Sequence, residues 1–197
     1  MKITPSLVKE LREATGAGVL DCKKALETSG GDIEKAKAYL REKGLAAAAK
    51  KADREVKEGL IEAYVHTGGR VGALIELGCE TDFVARTEDF KQLAHDLAMQ
   101  VVASKPLYLT PDDIPPKVLE EEKNVYRTQA RELGKPEHVV ERIVEGKLQK
   151  YFENVCLMRQ PFIRDDELTV QDVITQMIAK VGENIVVRRF ARFELGE

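Results

Sequence analysis

The chain has 197 residues, 43% of them hydrophobic and 33% charged, and 31 Lys+Arg against 34 Asp+Glu leave a formal charge of −3 at pH 7. That composition suits one domain with a small satellite, or two small domains. It carries no domain-wide basic field to track a nucleic-acid groove, and no apolar run nears the roughly 18–20 residues that span a bilayer.

The N-terminus, MKITPSLVKELREATGAG, is amphipathic and mixed in charge, without the apolar stretch of a secretory signal. Three widely spaced cysteines, Cys22, Cys79 and Cys156, read as reduced thiols and not as a disulfide framework. The expectation is a soluble, cytoplasmic protein.

Residues 1–45 read as three short helices. Thr4 supplies an N-cap with Pro5 at the first helical position, and Leu7, Val8, Leu11 and Ala14 share one face. Thr15-Gly16-Ala17-Gly18 breaks that pattern. A second helix sets Val19, Cys22, Ala25 and Leu26 on one side and Asp21, Lys23 and Lys24 on the other, and ends at Gly30-Gly31. Asp32 caps a third, with Ile33, Ala36, Tyr39 and Leu40 inward and Gly44 as its stop. Each is too short to be stable alone, so the three must pack on one another. Residues 46–58, AAAAKKADREVKE, form an Ala/Lys-rich connector, helical but poorly buried, since most of its apolar side chains are single methyls.

From residue 59 the period switches to that of a strand. Ile61, Ala63 and Val65 alternate with Glu62, Tyr64 and His66. Thr67-Gly68-Gly69-Arg70 is a hairpin turn, and Val71, Ala73, Ile75, Leu77 and Cys79 form the inward set of the return strand. Phe90, Leu93, Ala94, Leu97, Val101 and Val102 mark a helix that stops before Pro106. TPDDIPP at 110–116 leads to two long helices separated by Gly134-Lys135-Pro136. A further helix follows Thr169, which stands in capping-box spacing with Asp172. Residues 184–193, NIVVRRFARF, form a last strand that pairs with the hairpin. The fold class is therefore α+β: a three-helix head (1–45), a helical connector (46–58) and a helix-rich core with a small antiparallel sheet (59–197).

Signatures of bond-making chemistry are sparse. There is no G-x-x-x-x-G-K-[ST] phosphate loop, no G-x-G-x-x-G, and no Cys-x-x-Cys or His-Glu-x-x-His spacing among His66, His95 and His138. No cofactor or metal is expected. Cys79 with His66 or His95 could form a thiol–base pair, but Cys79 also completes a buried alternation, the commoner fate of a free cysteine. Glu80 and Asp82 read as solvated acids in a turn. The Arg-aromatic tail Arg188–Phe193 fits a half-buried strand, and the Lys50-Lys51-Arg54 cluster a solvated helix face.

ELGCETDFVARTEDF (76–90) is the informative stretch, because Phe83 sits in a polar turn with little local core to join. Burial statistics place a lone Phe in the core. A short apolar tip ringed by polar groups is instead the composition of a binding anchor.

TDFVAR at 81–86, after a strand ending in Cys-Glu, resembles a signature of the bacterial translation elongation factor Ts family. LVKELREATGAGVLDCKKAL at 7–26 and GDIEKA at 31–36 resemble that family's ubiquitin-associated-like N-terminal module, and GKPEHVVERIVEGKLQKYFENVCLMRQPF at 134–162 its C-terminal core segment. The resemblance implies a guanine-nucleotide exchange factor, without bond-making chemistry, acting on GDP-bound and nucleotide-free elongation factor Tu. Thr81, Asp82, Phe83 and Val84 would enter the partner beside its magnesium and phosphate site, while Arg12, Val19, Leu20 and Lys23 of the head would dock elsewhere on it. Longer relatives contain two related core subdomains, so the single one here implies, by the same resemblance, a homodimer. The charge balance and the lack of a long apolar run lead to the expectation of no direct contact with nucleic acid or membrane. Many relatives carry a His where this chain has Gln100, which is not counted among the contacts. The alternatives are a non-catalytic protein-binding module with a three-helix head, and a thiol hydrolase using Cys79.

Overall fold

Local caps lay down the first helices in the computed structural model, which describes residues 3–196. The Thr4 hydroxyl accepts the Leu7 amide at the start of α1 (Pro5–Thr15), and Gly16 closes that helix with φ 65°, a left-handed turn that glycine adopts without strain. α2 (Val19–Thr28) and α3 (Ile33–Ala49) follow, with Asp32 accepting the Lys35 amide at 3.0 Å as the cap of α3. Leu11, Cys22, Ala25, Leu26 and Ala36 form the head's core, with Leu7, Val8, Tyr39 and Leu40 packed around it.

Two readings of the head need correction. Val19 is 53% exposed, so the inner face of α2 begins at Cys22. Gly44 does not end α3; the helix runs on to Ala49, and only residues beyond it leave helical geometry, so most of the expected helical connector (46–58) is irregular. Gly44 is buried in mid-helix, and a methyl added there would meet Thr175 and Ala179 at 3.8 and 3.9 Å. The missing side chain serves close helix packing, not termination.

The remaining elements are β1 (Glu58–Val65), β2 (Val71–Cys79), the single turn α4 (Asp82–Ala85), α5 (Glu88–Ser104), α6 (Pro116–Glu132), α7 (Glu137–Val155), β3 (Pro161–Phe162), β4 (Asp165–Thr169), α8 (Val170–Val181) and β5 (Ile185–Glu194). β1, β2 and β5 make a three-stranded antiparallel sheet in the order β1-β2-β5, so the last strand pairs with the hairpin as expected. The fold class is α+β, helix-rich with a small sheet. The antiparallel pair β3-β4 was not foreseen, because two and five residues are too few to show a period.

By its internal contacts the chain forms two units. One comprises Met1–Glu62, Ile75–His95 and Gln171–Arg188; the other comprises Ala63–Leu74, Asp96–Val170 and Arg189–Glu197. This partition differs from the head, connector and core read from composition. The first unit contains the head, α4 and almost all of α8. Arg41 of α3 makes two hydrogen bonds to the Asp172 carboxylate on α8, at 2.9 and 3.2 Å, and that carboxylate is buried. The second unit holds the α6–α7 hairpin, closed by Ala130, Val140, Val144 and Leu148. Gln100, fully buried there, reaches the Ser104 hydroxyl, the Gln160 side chain and the Pro161 carbonyl, and accepts the Ile163 amide at 2.8 Å.

β2 buries Ala73, Ile75, Leu77 and Cys79, as read. On β1 the parity is reversed: Ile61, Ala63 and Val65 are exposed, while Leu60, Glu62 and Tyr64 are half-buried. Alternation determines which residues share a face but not which face is covered, and Glu62 is engaged by His95 at 2.9 Å.

Two glycine substitutions should move stability in opposite directions. Gly44→Ala should stabilise by about 0.5–1 kcal/mol, since alanine removes the helix penalty of glycine and its methyl finds ordinary contact. That is a rise in Tm of roughly 2–4 °C in a thermal melt. Gly59→Ala should lower Tm markedly, because a methyl there would lie 2.2 Å from the Leu77 carbonyl oxygen.

Candidate functional site

The polar turn read at 81–86 is one turn of helix. Thr81 is its N-cap, its hydroxyl facing the Val84 amide at 3.5 Å, and the amides of Ala85 and Arg86 return to the carbonyls of Thr81 and Asp82. At about 100° per residue, one short turn can put only neighbouring positions inward. Here these are Val84 and Ala85, both buried, which leaves Phe83 pointing outward and 78% exposed. Phe83 is therefore not a core residue. Val84, expected in the intruding set, is packed against the protein and presents little surface. Asp82 is half-exposed, and its carboxylate meets Arg86 one turn later at 2.7 Å.

The backbone under Phe83 is held from both sides. The Thr81 amide and hydroxyl both donate to the Glu183 carboxylate, at 3.0 and 2.6 Å, from 102 positions earlier in the chain. Reciprocally, Glu80 accepts the Asn184 amide at 2.6 Å. The Asn184 side-chain amide, itself buried, donates to the carbonyls of Ala52 and Arg54 at 3.2 and 3.1 Å. The Cys79 thiol donates to the Thr81 carbonyl at 3.1 Å. After α4, the Thr87 hydroxyl donates to the Val84 carbonyl at 2.8 Å and accepts the Phe90 amide, starting α5.

In the head, Leu20 is 82% exposed beside the half-exposed Val19, at the first turn of α2 after Gly18. Arg12 and Lys23 are exposed, and Lys23 approaches Glu27 at 3.9 Å. The expected head residues thus offer an apolar pair with two cations.

A sequence profile for the family Elongation factor TS matches residues 8–197. A protein named Elongation factor Ts from Heliobacterium modesticaldum is 58% identical over 195 residues, covering 99% of this chain and 91% of that one. One of the same name from Thermotoga petrophila is 60% identical over 197 residues, covering 100% and 98% of the two chains. The chain belongs to the elongation factor Ts family.

This member of the elongation factor Ts family buries the thiols that a hydrolase reading would require. Cys22, Cys79 and Cys156 are all fully buried. Burial, with the Glu183 carboxylate adding to it, pushes the Cys79 thiol up to about 11, and burial pushes Cys156 to about 11 as well. His95, one proposed base, is engaged with Glu62, and His66 with Tyr64 at 3.0 Å. A thiol kept protonated, and already donating to a carbonyl, is not a nucleophile. Among the described residues no group of three or more His, Cys, Asp and Glu is placed to hold a metal ion, and no helix is long and apolar enough to cross a membrane.

Sequence reading missed Glu80, Glu183 and Asn184 as supports of the tip. Two acids in loops carry no pattern that announces a partner a hundred residues away.

Iodoacetamide at pH 8 should leave the folded protein unmodified and label three cysteines after denaturation, checked by intact mass. Rapid alkylation of Cys79 in the folded protein would reopen the thiol reading.

Proposed function

We propose that this chain is a guanine-nucleotide exchange factor for elongation factor Tu, acting on its GDP-bound and nucleotide-free states. The observation that carries the reading is Phe83: a large aromatic left in water on a backbone that is fixed beneath it. Such an anchor gains its free energy in another protein's cleft, where burying a Phe side chain contributes roughly 2–3 kcal/mol. At about 1.4 kcal/mol per decade that is approximately 30- to 150-fold in an equilibrium.

Exchange needs no bond-making group. The factor accelerates GDP release by binding the nucleotide-free or distorted partner better than the GDP complex, and by linkage GDP weakens the factor's own binding to the same degree. Phe83 is the wedge in this reading, and Asp82 the charge brought near the partner's magnesium and phosphate site. Thr81 and Val84 contribute by holding the turn. The three-helix head, residues 1–45, supplies attachment through Leu20, Val19, Arg12 and Lys23. That attachment need not discriminate between the partner's states.

A homodimer completes the reading. It is supported by the exposed apolar side of β1, where Ile61 and Val65 are 67% and 66% exposed, on a strand at the edge of its sheet. A second copy would cover such residues.

Release of a fluorescent GDP analogue from elongation factor Tu should accelerate with the wild-type chain. Phe83→Ala should lower the maximal rate by about 30-fold or more, the lower end of that range. Leu20→Ala should instead raise the half-saturating concentration and leave the maximal rate unchanged. If neither wild type nor variant accelerates release at saturating concentration, the chain is a protein-binding module of another kind. Sedimentation at micromolar concentration should give twice the 22.0 kDa of one chain.

A further inference from the structure

We infer that Glu183 is a positioning residue for the Phe83 tip. It touches no partner itself; it sets where Phe83 points. The inference rests on the exchange reading for its functional consequence, but the geometry stands on its own.

Thr81 is the residue through which β2 passes into α4, so its backbone direction decides where the next two side chains go. Glu183 binds it at two atoms, the amide and the hydroxyl, at 3.0 and 2.6 Å. Bidentate acceptance by one carboxylate fixes orientation as well as distance, and charged hydrogen bonds are about twice as strong as neutral ones. The same Thr81 hydroxyl caps α4 at the Val84 amide, so fixing the hydroxyl also fixes the turn that turns Phe83 outward.

Glu183 is in turn held in register. Its neighbour Asn184 donates its backbone amide to Glu80 and its side-chain amide to the carbonyls of Ala52 and Arg54. Two adjacent residues before β5 therefore grip two adjacent residues after β2, each pair supplying one carboxylate to the other's backbone. Without Glu183, two donors on Thr81 turn to water, the cap loses its anchor, and Phe83 samples a cone of directions. Binding through a mobile anchor must then order it at the moment of docking, which weakens the wedge and not the head.

The test separates this role from a general loss of fold. Glu183→Ala removes both acceptors, and Glu183→Gln keeps one neutral oxygen for the Thr81 amide. Hydrogen exchange by mass spectrometry, without any partner, should show faster exchange of the peptide covering residues 81–86 in Glu183→Ala, with the head peptides unchanged. In the GDP-release assay, Glu183→Ala should lower the maximal rate about tenfold and Glu183→Gln about threefold or less, with the half-saturating concentration little changed. In a Phe83→Ala background, Glu183→Ala should add almost nothing, because its effect passes through that ring.

Unchanged exchange at 81–86, or loosening spread over the whole chain, overturns the inference. So does a Glu183→Ala loss that persists in full in the Phe83→Ala background, which would mark a purely structural residue. If the wild-type chain fails to accelerate GDP release while residues 81–86 still loosen in Glu183→Ala, the exchange reading fails and the positioning of the tip stands.

Discussion

An aromatic side chain can be kept in water, aimed in one direction, only if the backbone beneath it has no freedom left. Phe83 meets that condition. The cost of exposing it is the forgone burial of one Phe, which a folded chain tolerates when the rest of its core is complete. The cost of ordering it is met by polar groups together with the packing of its two neighbours. Cys79, Glu80 and Thr81 all have assigned partners within hydrogen-bond reach, and Val84 and Ala85 are anchored in the protein. Replacing Cys79, Glu80, Val84 or Ala85 would leave the sequence TDF unchanged and remove part of what orders it.

The same unit ties the tip to the head through α8. Asp172, in the first turn of that helix, holds Arg41 of α3; Glu183 and Asn184, just past its last turn, hold the tip. With 12 residues at about 1.5 Å each, α8 is roughly 18 Å long. It sets the separation between the head and the Phe83 turn within this unit. A buried carboxylate held by a bidentate guanidinium is a poor source of net stability but a good source of orientation, since the alternative is an uncompensated buried charge. Gly44 adds to this, because a side-chain-free position lets α3 approach Thr175 and Ala179 on the same helix. In the exchange reading proposed above, such a tied helix would hold the two points of a two-point binder at the defined separation that effective concentration requires.

How much of this was legible in the sequence depended on the range of the interaction. Thr4, Asp32 and the glycines at 16, 30 and 31 act within a few residues of themselves, and the head's three helices begin and turn where those residues say. The hairpin at 67–70 and the last strand were legible for the same reason. Gly44 misled because a glycine in a helix marks either a stop or a close contact, and the contact is with a helix some 130 positions later. β1 misled because its more apolar face is the exposed one, a choice that no period-two pattern encodes. At the site, the oddity of Phe83 was visible, but the residues that hold the backbone beneath it were not. Glu183 and Asn184 look like ordinary polar residues before a strand, and only the fold brings them to Glu80 and Thr81.

That α4 is a turn of helix and not an irregular loop has its own consequence. In an irregular loop each side chain's direction is set independently, and a single substitution redirects one residue. In a helical turn the directions are coupled: burying Val84 and Ala85 forces residue 83 outward, and capping by Thr81 fixes where the turn begins. The apolar pair at 84 and 85 therefore takes part in orienting the ring although both residues face inward. It converts a local hydrophobic preference into the orientation of the ring beside it. The carboxylate of Glu183 then fixes that orientation relative to the rest of the unit. A turn built this way depends on two kinds of force that fail under different conditions, apolar burial on one side and charged hydrogen bonds on the other. Salt weakens the exposed part of the second while leaving the first intact, and the buried part of the second is screened much less.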